Sequence, residues 1–256
     1  MTVICQERHG SVVVQLHRPE RKNAVTFAMY SALTEQLKRA ESDEAVRSVV
    51  LTGSQGIFTS GNDLEELARH PPTRAGSPLL IFLDALAEFS KPLIAAVDGY
   101  ALGIGTSMLL HCDLVYATER ARFQFPFTKL GLVPEAASSY LLPRLIGYPR
   151  AAELLLLSEP FDAQTAFSLG MINGITKVED LMNVVDAKLQ ALAALPAPAI
   201  QLTKQLLKAT VLPHIRHQMQ EETSLFLERL RSPEAAEAFQ AFFEKRAPNF
   251  GKLSPP

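Results

Sequence analysis

Between Leu93 and Ser107 the chain reads LIAAVDGYALGIGTS, an apolar run that opens directly onto a glycine-rich turn. The run Leu93–Val97 is short, bounded by turn residues, and typical of a buried strand. A second apolar segment, Met108–Leu110, follows the glycines and indicates a helix. The N–H groups that begin such a helix have no intrahelical partner, so they can bind an oxygen atom that gains negative charge. An ordinary strand-to-helix turn is the alternative, because one glycine-rich turn alone is weakly specific.

A second turn of the same kind lies upstream, where residues 57–64 read IFTSGNDL. The predicted strand before it, Val46–Leu51, stops at Thr52-Gly53, and a helix is predicted to begin at Asp63. Backbone N–H groups at this helix start would also point outward without an intrahelical partner. Considered alone, this turn has the same ordinary structural alternative.

A third segment, residues 125–140, reads FPFTKLGLVPEAASSY and contains a candidate proton-transfer group. Glu135 follows Pro134 in an apolar stretch and precedes small residues. Such surroundings disfavour a carboxylate anion, so we expect the pKa of Glu135 to be raised. A carboxyl group of this kind is suited to take and return a proton near neutral pH. The alternative is a glutamate at a helix N-terminus, where the helix dipole favours its negative charge.

The order of strand-like and helix-like segments predicts an α/β fold. Thr26 is expected to cap the first helix, which runs to about Ala40. Alternation of strands and helices is typical of a mainly parallel sheet with helices outside it. The remaining predicted elements are strands at Val12–Leu16 and Leu114–Ala117 and helices after Asp63 and at Leu79–Phe89.

The second half of the chain is predicted to be almost wholly helical after Ala136, apart from a short strand near Ile172–Val178. Residues 197–208, 213–231 and 233–245 carry apolar side chains at helical spacing. We therefore expect a core unit at residues 1–195 and a C-terminal helical region at residues 196–256. The apolar faces of the last helices pack either against a partner subunit or on the protein's own core.

Length, charge and cysteine content limit the class of protein. The 256 residues carry a net charge of −2, which gives no electrostatic reason to expect nucleic acid or an anionic membrane as a partner. Cys5 and Cys112 lack the spacing of a metal site or a disulfide framework, which favours a reducing compartment. No apolar run reaches the ~20 residues of a membrane span, and the N-terminus does not read as a secretory signal. The final tripeptide, 254–256, does not resemble a peroxisomal signal, so we expect a cytoplasmic location.

Together these segments resemble the crotonase family, also called the enoyl-CoA hydratase/isomerase superfamily. The resemblance extends from Val12 to about Lys208. Each matching stretch is loose alone, but their order and spacing together are highly specific. The stretches are RPERKNA at 18–24, SGNDL at 60–64, KPLIAAVDG at 91–99, CDLVYA at 112–117 and LGMI at 169–172.

The resemblance implies a ClpP/crotonase-like spiral of ββα units, whose C-terminal helices form a trimer and help cover the active site. It implies that the N–H groups of Asn62 and Ile104 form an oxyanion hole for the thioester carbonyl of an acyl-CoA. A homotrimer or a dimer of trimers is the expected assembly. No metal or separate cofactor is implied, because coenzyme A is part of the substrate. The residues implied to bind coenzyme A and the acyl group are Lys22, which is suited to contact a phosphate, Ala24, Ser60, Asp63, Leu64, Gly103 and Phe127.

Departures from the hydratase pattern distinguish activities within the family. Hydratases use two carboxylates to activate water, and this chain has Ser107 and Phe127 at the matching positions. Glu135 stands where hydratases have glycine, as in the peroxisomal-type Δ3,Δ2-enoyl-CoA isomerases, whose matching glutamate is the single base. Ala136-Ala137 departs from the Gly-Cys that is common there. The resemblance implies a 1,3-proton shift from 3-enoyl-CoA to 2-enoyl-CoA, with a hydratase or other crotonase enzyme and a non-catalytic acyl-CoA-binding module as alternatives.

Other titratable residues are predicted to have structural roles. His214 and His217 lie three residues apart without an acidic third ligand, so they are expected at the surface rather than at a metal. His111 is expected to be a hydrogen-bonded core residue, and Asp63 a helix cap. Glu65 and Glu66 are expected to be solvated, with a position of either one near the mouth of the pocket as the alternative.

Overall fold

The structure is a computed structural model that describes residues 2–72 and 76–253. Six strands form its main sheet. Strands β1 and β2 form an antiparallel hairpin, and β2, β3, β4, β6 and β9 then lie side by side in parallel. A smaller sheet joins β5, β7 and β8. The final tripeptide, on which the expected location partly rests, lies outside the described residues. The strands are β1 (Val3–Arg8), β2 (Ser11–Leu16), β3 (Ser48–Thr52), β4 (Leu93–Val97), β5 (Tyr100–Leu102), β6 (Leu114–Thr118), β7 (Arg122–Gln124), β8 (Phe161–Asp162) and β9 (Gly174–Thr176).

Helices connect the parallel strands and make up most of the second half of the chain. Short 3-10 turns separate several of them, at Pro19–Arg21, Met108–His111, Thr128–Leu130, Val178–Asp180 and Phe250–Lys252. No helix in the described ranges has the length and apolar character to cross a membrane. The α-helices are α1 (Phe27–Ser42), α2 (Leu64–Arg69), α3 (Pro78–Glu88), α4 (Ile104–Ser107), α5 (Ser138–Ile146), α6 (Tyr148–Leu157), α7 (Ala163–Ser168), α8 (Leu181–Ala193), α9 (Ala197–Ala209), α10 (Leu212–Arg229) and α11 (Pro233–Phe243).

The predicted α/β order is confirmed, and the differences have local causes. Strand β3 begins at Ser48 rather than Val46, because the N–H of Val46 bonds to the carbonyl of Asp43 in a turn. The apolar run Met108–Leu110 forms a 3-10 turn that continues the short helix α4. Strand β1 was not predicted, because its last four residues are exposed and lack the alternation of apolar and polar side chains that indicates a strand. The strand predicted at Ile172–Val178 is confined to β9.

Helix α1 illustrates how side chains fix an element beside the site. Thr26 caps it by accepting the N–H of Met29 at 3.3 Å, as predicted. Met29, Tyr30 and Leu33 are buried on its inner face. This spacing places Tyr30 in the core, one helical turn from the start of α1.

The C-terminal helices pack partly on the protein's own core. Ile215, Met219 and Phe226 of α10 belong to the main apolar cluster. By contrast, Leu206 and Leu207 of α9 are 76% and 75% exposed. The division of the chain at residue 195 stays a prediction.

Candidate active site

The two glycine-containing turns are joined through the backbone of Thr59. Its N–H donates to the carbonyl of Tyr100 at 2.9 Å, and its carbonyl accepts the N–H of Leu102 at 3.0 Å. Gly61, with φ +97°, approaches the second turn so closely that a Cβ atom would lie 2.9 Å from the carbonyl oxygen of Leu102. The turn before α2 and the turn before α4 therefore form one continuous surface.

Within this surface, the N–H groups of Asn62 and Ile104 donate to no protein acceptor in the part of the chain that the structure describes. Their neighbours are paired: the N–H of Gly61 bonds to Oγ1 of Thr59 at 3.0 Å, and that of Asp63 bonds to the carbonyl of Val25 at 2.9 Å. Unpaired donors in a water-poor site suit an oxygen atom that becomes negatively charged during a reaction. This pattern supports the predicted oxyanion hole.

A cavity of about 560 Å³ lies beside the two turns. It brings together nearly all the residues predicted for the site from the sequence. Ile104 itself is fully buried and does not line the cavity, although the adjacent Gly103 does. The predicted residues that line it are Lys22, Ala24, Ser60, Asn62, Asp63, Leu64, Gly103, Phe127 and Glu135.

The mouth of the cavity carries exposed positive charge. Arg21 and Lys22 lie there in the loop after β2, and both side chains are exposed. Arg21 is 4.0 Å from a carboxylate oxygen of Glu65. Lys22 has no ion-pair partner among residues 2–72 and 76–253, so its ammonium is available to an external anion. A phosphate is such an anion.

The opposite wall of the cavity is apolar and includes residues that the sequence did not single out. Phe226 of α10 and Phe242 and Phe243 of α11 line it together with Leu130 and Leu132. Phe242 and Phe243 are half-exposed. Their apolar spacing predicted only a helix, because nothing local showed that α10 and α11 fold back over the cavity.

Glu135 lies at the inner part of the cavity and is 4% exposed. Burial raises the pKa of its carboxyl to about 8, while the hydrogen bond from Asn62 opposes this rise and the charge of Glu222 adds to it. The raised pKa agrees with the sequence prediction. Helix α5 begins at Ser138 and has no acidic residue in its first turn, so stabilisation by the helix dipole does not describe Glu135.

The Asn62 side chain contacts the Glu135 carboxyl group directly. Nδ2 of Asn62 lies 3.2 Å from Oε1 and 3.5 Å from Oε2 of Glu135. On its other side, Oδ1 of Asn62 accepts the hydroxyl of Tyr30 at 2.5 Å. Burial raises the pKa of Tyr30 well above its usual value, and the charges of Glu135 and Glu66 act in the same direction. Tyr30 is thus a neutral hydrogen-bond donor; it is a functional residue that the sequence analysis missed.

A second buried carboxyl group, Glu222 of α10, supports the turn after Glu135. Its oxygens accept the N–H groups of Ala137 at 2.6 Å and Ser139 at 2.9 Å, and also the hydroxyl of Ser139. Burial raises the pKa of Glu222 to about 7, although these hydrogen bonds act in the opposite direction. Sequence reasoning missed Glu222, because an isolated glutamate in an amphipathic helix gives no sign of burial.

The two positions that carry carboxylates in hydratases hold buried, uncharged side chains here. Ser107 and Phe127 are buried at 0% and 3% exposure. The carboxylate of Asp63 accepts hydrogen bonds from Arg18 at 2.6 Å and from the N–H of Glu66. The bond from Glu66 confirms Asp63 as a helix cap. Glu135 is therefore the buried carboxyl group that faces the cavity in the described structure.

Other titratable residues make contacts that bear on their predicted roles. His111 is a buried core residue whose Nε2 lies 2.8 Å from the carbonyl of Ala136, and burial lowers its pKa to about 4. Glu66 is partly exposed, and its Oε2 accepts the N–H of Phe27 at 2.6 Å at the start of α1. His214 stacks on Tyr140. Across the described residues, no group of three His, Cys, Asp or Glu side chains could hold a metal ion.

The fold and the cavity are those of a known class of protein. A family model described as enoyl-CoA hydratase/isomerase matches residues 6–253, and the chain belongs to this family, with the crotonase fold. It is similar to a solved enoyl-CoA hydratase/isomerase structure from Pseudoalteromonas atlantica T6c, with a TM-score of 0.93, 37% identity and coverage of 98% of this chain and 100% of that one. The chain is also similar to the structure of Pseudomonas aeruginosa OdaA, with a TM-score of 0.92, 41% identity and coverage of 94% of this chain and 98% of that one.

Relatives with curated names indicate the range of activities. Enoyl-CoA delta isomerase 2 of Rattus norvegicus is 31% identical over 95% of this chain. This chain spans 64% of that protein's length. The 1,2-epoxyphenylacetyl-CoA isomerase of Escherichia coli strain K12 is 32% identical, covering 97% of both chains. The family to which the chain belongs therefore includes relatives named as enoyl-CoA and epoxyphenylacetyl-CoA isomerases.

Proposed function

We propose that the protein is a Δ3,Δ2-enoyl-CoA isomerase, which moves the double bond of a 3-enoyl-CoA to the 2-position. The observation that carries the proposal is Glu135, a buried carboxyl group of raised pKa that faces the cavity beside two unpaired N–H groups. A single group that both removes and returns a proton is sufficient for this reaction. The delta isomerase relatives support the same activity.

In the proposed reaction, the thioester carbonyl binds the N–H groups of Asn62 and Ile104. The C2 proton is acidified by the carbonyl and by the neighbouring double bond. Glu135, in its ionised form, takes this proton and leaves a dienolate whose negative charge rests on the carbonyl oxygen. Loss of one such N–H donor typically raises the barrier by roughly 3–4 kcal/mol.

The protonated Glu135 then delivers the same proton to C4. The electron pairs shift so that the C2–C3 double bond forms as the C3–C4 double bond disappears. The enzyme is returned to its starting state, and the product is the conjugated 2-enoyl-CoA. This proton shift needs no redox cofactor, because no electrons are exchanged with an external group, and we propose that the two N–H groups stabilise the dienolate without a metal ion.

The surroundings of Glu135 favour isomerisation over hydration. Addition of water requires a second group to hold or activate the water molecule. The buried Phe127 and Ser107 occupy the matching positions, and Phe127 presents an apolar ring to the cavity. These positions therefore offer no second carboxylate to hold the water molecule that hydration needs.

Purified protein incubated with 3-hexenoyl-CoA tests the proposal by the ultraviolet absorbance of the conjugated thioester. We expect absorbance to rise, and Glu135→Gln to slow the rise at least about 100-fold. Glu119→Gln is the matched control, because Glu119 is exposed and lies outside the cavity. Parallel runs with crotonyl-CoA and 1,2-epoxyphenylacetyl-CoA test the activities of other family members.

Loss of conjugation in crotonyl-CoA, without any reaction of 3-hexenoyl-CoA, would contradict the isomerase proposal and indicate a hydratase. Turnover of the epoxide alone would indicate the activity for which the Escherichia coli relative is named. Tight binding of acyl-CoA without any turnover would favour a non-catalytic binding module.

We also propose a homotrimer or a dimer of trimers in the cytoplasm. Exposed Leu202, Leu206 and Leu207 give α9 an apolar face that a second copy could cover. Light scattering coupled to size exclusion tests the assembly. Cys5 and Cys112 are both free thiols, which supports a reducing compartment, and subcellular fractionation tests the location.

A further inference from the structure

Tyr30 is a buried polar group close to Glu135 that the proposed reaction does not use. We propose that Tyr30 is a positioning residue, whose hydroxyl fixes the side-chain amide of Asn62 so that Nδ2 of Asn62 orients the Glu135 carboxylate. The inference rests on the proposed function of Glu135 as the base. Tyr30 does not line the cavity, so it acts through Asn62 and does not contact the substrate.

The chain of contacts defines the direction of each hydrogen bond. An ionised carboxylate only accepts hydrogen bonds, so Glu135 in its basic form requires Nδ2 of Asn62 to face it. Oδ1 of Asn62 then faces Tyr30, whose neutral hydroxyl is the donor at 2.5 Å. If the amide of Asn62 were reversed, its oxygen would repel the carboxylate. The phenol therefore stabilises the amide orientation that the reactive base needs.

The position of the phenol is itself fixed. Tyr30 is 1% exposed, and its ring packs against Phe82 with the ring centres 5.3 Å apart. The charged groups that face this network are few: Glu135 and Glu66 act on Tyr30, and Glu222 acts on Glu135. The carboxylate of Glu66 accepts the N–H of Phe27. No cationic donor in the described residues forms an ion pair with Glu135, so Asn62 is its principal partner.

Tyr30→Phe removes the hydroxyl and keeps the ring, so it tests the inference with little change in packing. We expect kcat to fall roughly threefold to tenfold while KM for 3-hexenoyl-CoA is unchanged. Because the bond from Asn62 favours the ionised form of Glu135, the acid limb of the kcat/KM profile should move to higher pH by about half a unit. Tyr116→Phe is the matched control: Tyr116 is also a buried tyrosine, but it lies in a separate apolar cluster.

A double-mutant cycle distinguishes positioning from a general structural role. Asn62→Ala should raise the pKa of Glu135 further than Tyr30→Phe does, and the double variant should match Asn62→Ala alone. Additive shifts would mean that Tyr30 acts independently of Asn62, and an unchanged pH profile in Tyr30→Phe would equally overturn the inference.

Carbon-13 NMR of labelled glutamate gives a readout that does not depend on catalysis. The Glu135 carboxyl signal is assigned by its loss in Glu135→Gln and then titrated in wild type and Tyr30→Phe. We expect a higher titration midpoint in Tyr30→Phe, and equal midpoints would contradict the positioning role. This measurement stands even if no isomerase activity is found, so failure of the inference and failure of the proposed function can be told apart.

Discussion

The carboxyl group of Glu222 bonds to the backbone N–H of Ala137 at 2.6 Å, across 85 positions of sequence. This bond joins helix α10 to the turn that carries the base. Ala136 and Ala137 have φ values of 60° and 55°, in the left-handed region that alanine rarely adopts. Glu222 holds this unfavourable turn in place, and so it determines how Glu135 enters the cavity.

Neutralising Glu222 should have two separable effects on activity. Its charge raises the pKa of Glu135, so Glu222→Gln should move the acid limb of kcat/KM to lower pH. The single oxygen of glutamine cannot accept both N–H groups, so the turn should loosen and maximal kcat should fall. Glu221→Gln, an exposed neighbour on α10, is the control. An unshifted limb in Glu222→Gln would show that the two carboxyl groups are not coupled.

The wild-type pH profile should report Glu135. A general base must be ionised, and the pKa of Glu135 is raised to about 8. We therefore expect kcat/KM for 3-hexenoyl-CoA to increase with pH, with the midpoint of the increase at about pH 8. A steady-state profile at constant ionic strength measures it. A limb centred near the usual glutamate value of about 4.3 would rule out Glu135 as a buried base.

The same pKa has a consequence for stability. Because the folded-state pKa of Glu135 is raised, its contribution to stability is complete below the unfolded pKa and is lost as pH rises through about 8. Glu135→Gln avoids this loss, so it should be more stable than wild type above pH 8, by about 3 to 5 kcal/mol at full ionisation. Urea unfolding at acidic and alkaline pH measures the difference. Glu119→Gln keeps Glu135 and should therefore lose stability with rising pH as wild type does.

Close contact between the two turns predicts a strong effect at Gly61. A Cβ atom there would meet the Leu102 carbonyl at 2.9 Å and push the turns apart, which separates the N–H donors. We expect Gly61→Ala to lower kcat by at least about tenfold. Gly170→Ala is a matched control, because Gly170 also has a positive φ of +74° but no atom lies within 4 Å of its Cβ position. Equal losses in both variants would point to backbone strain instead.

The free charge of Lys22 predicts an effect on binding alone. We expect Lys22→Ala to raise KM for acyl-CoA substrates about threefold to tenfold at low salt, with kcat unchanged. Screening by salt should shrink the difference. Lys38→Ala, which removes an exposed lysine of α1 outside the cavity, should leave KM unaltered. A salt-independent increase in KM would argue against a phosphate contact.

Local patterns predicted the parts of the protein that depend on local sequence. The run Leu93–Val97 indicated β4 correctly, and the apolar stretch around Pro134 predicted the raised pKa of Glu135. The contact of Tyr30 with the site was not predicted, because a tyrosine on the inner face of a helix normally indicates core packing. Its importance depends on Asn62, which lies 32 positions away in sequence and meets it only in the folded protein.

Short or exposed elements were missed for a different reason. Strand β1 exposes most of its side chains, so it lacks the apolar alternation that predicts a strand. Strand β8 has only two residues and pairs with β7 through tertiary structure. The phenylalanines of α10 and α11 were assigned to helices correctly, but a helical pattern does not specify which surface the helix covers.

Phe226, Phe242 and Phe243 of the apolar wall come from a different part of the chain than the proposed reacting groups. Asn62, Ile104 and Glu135 lie in the first 135 residues, whereas these phenylalanines belong to the last two α-helices. Under the proposed function, contact with the acyl group and transfer of the proton are thereby divided largely between different segments of the chain. A library randomised at the three phenylalanines would explore new substrates while the reaction itself is preserved, which makes this arrangement a practical starting point for enzyme engineering.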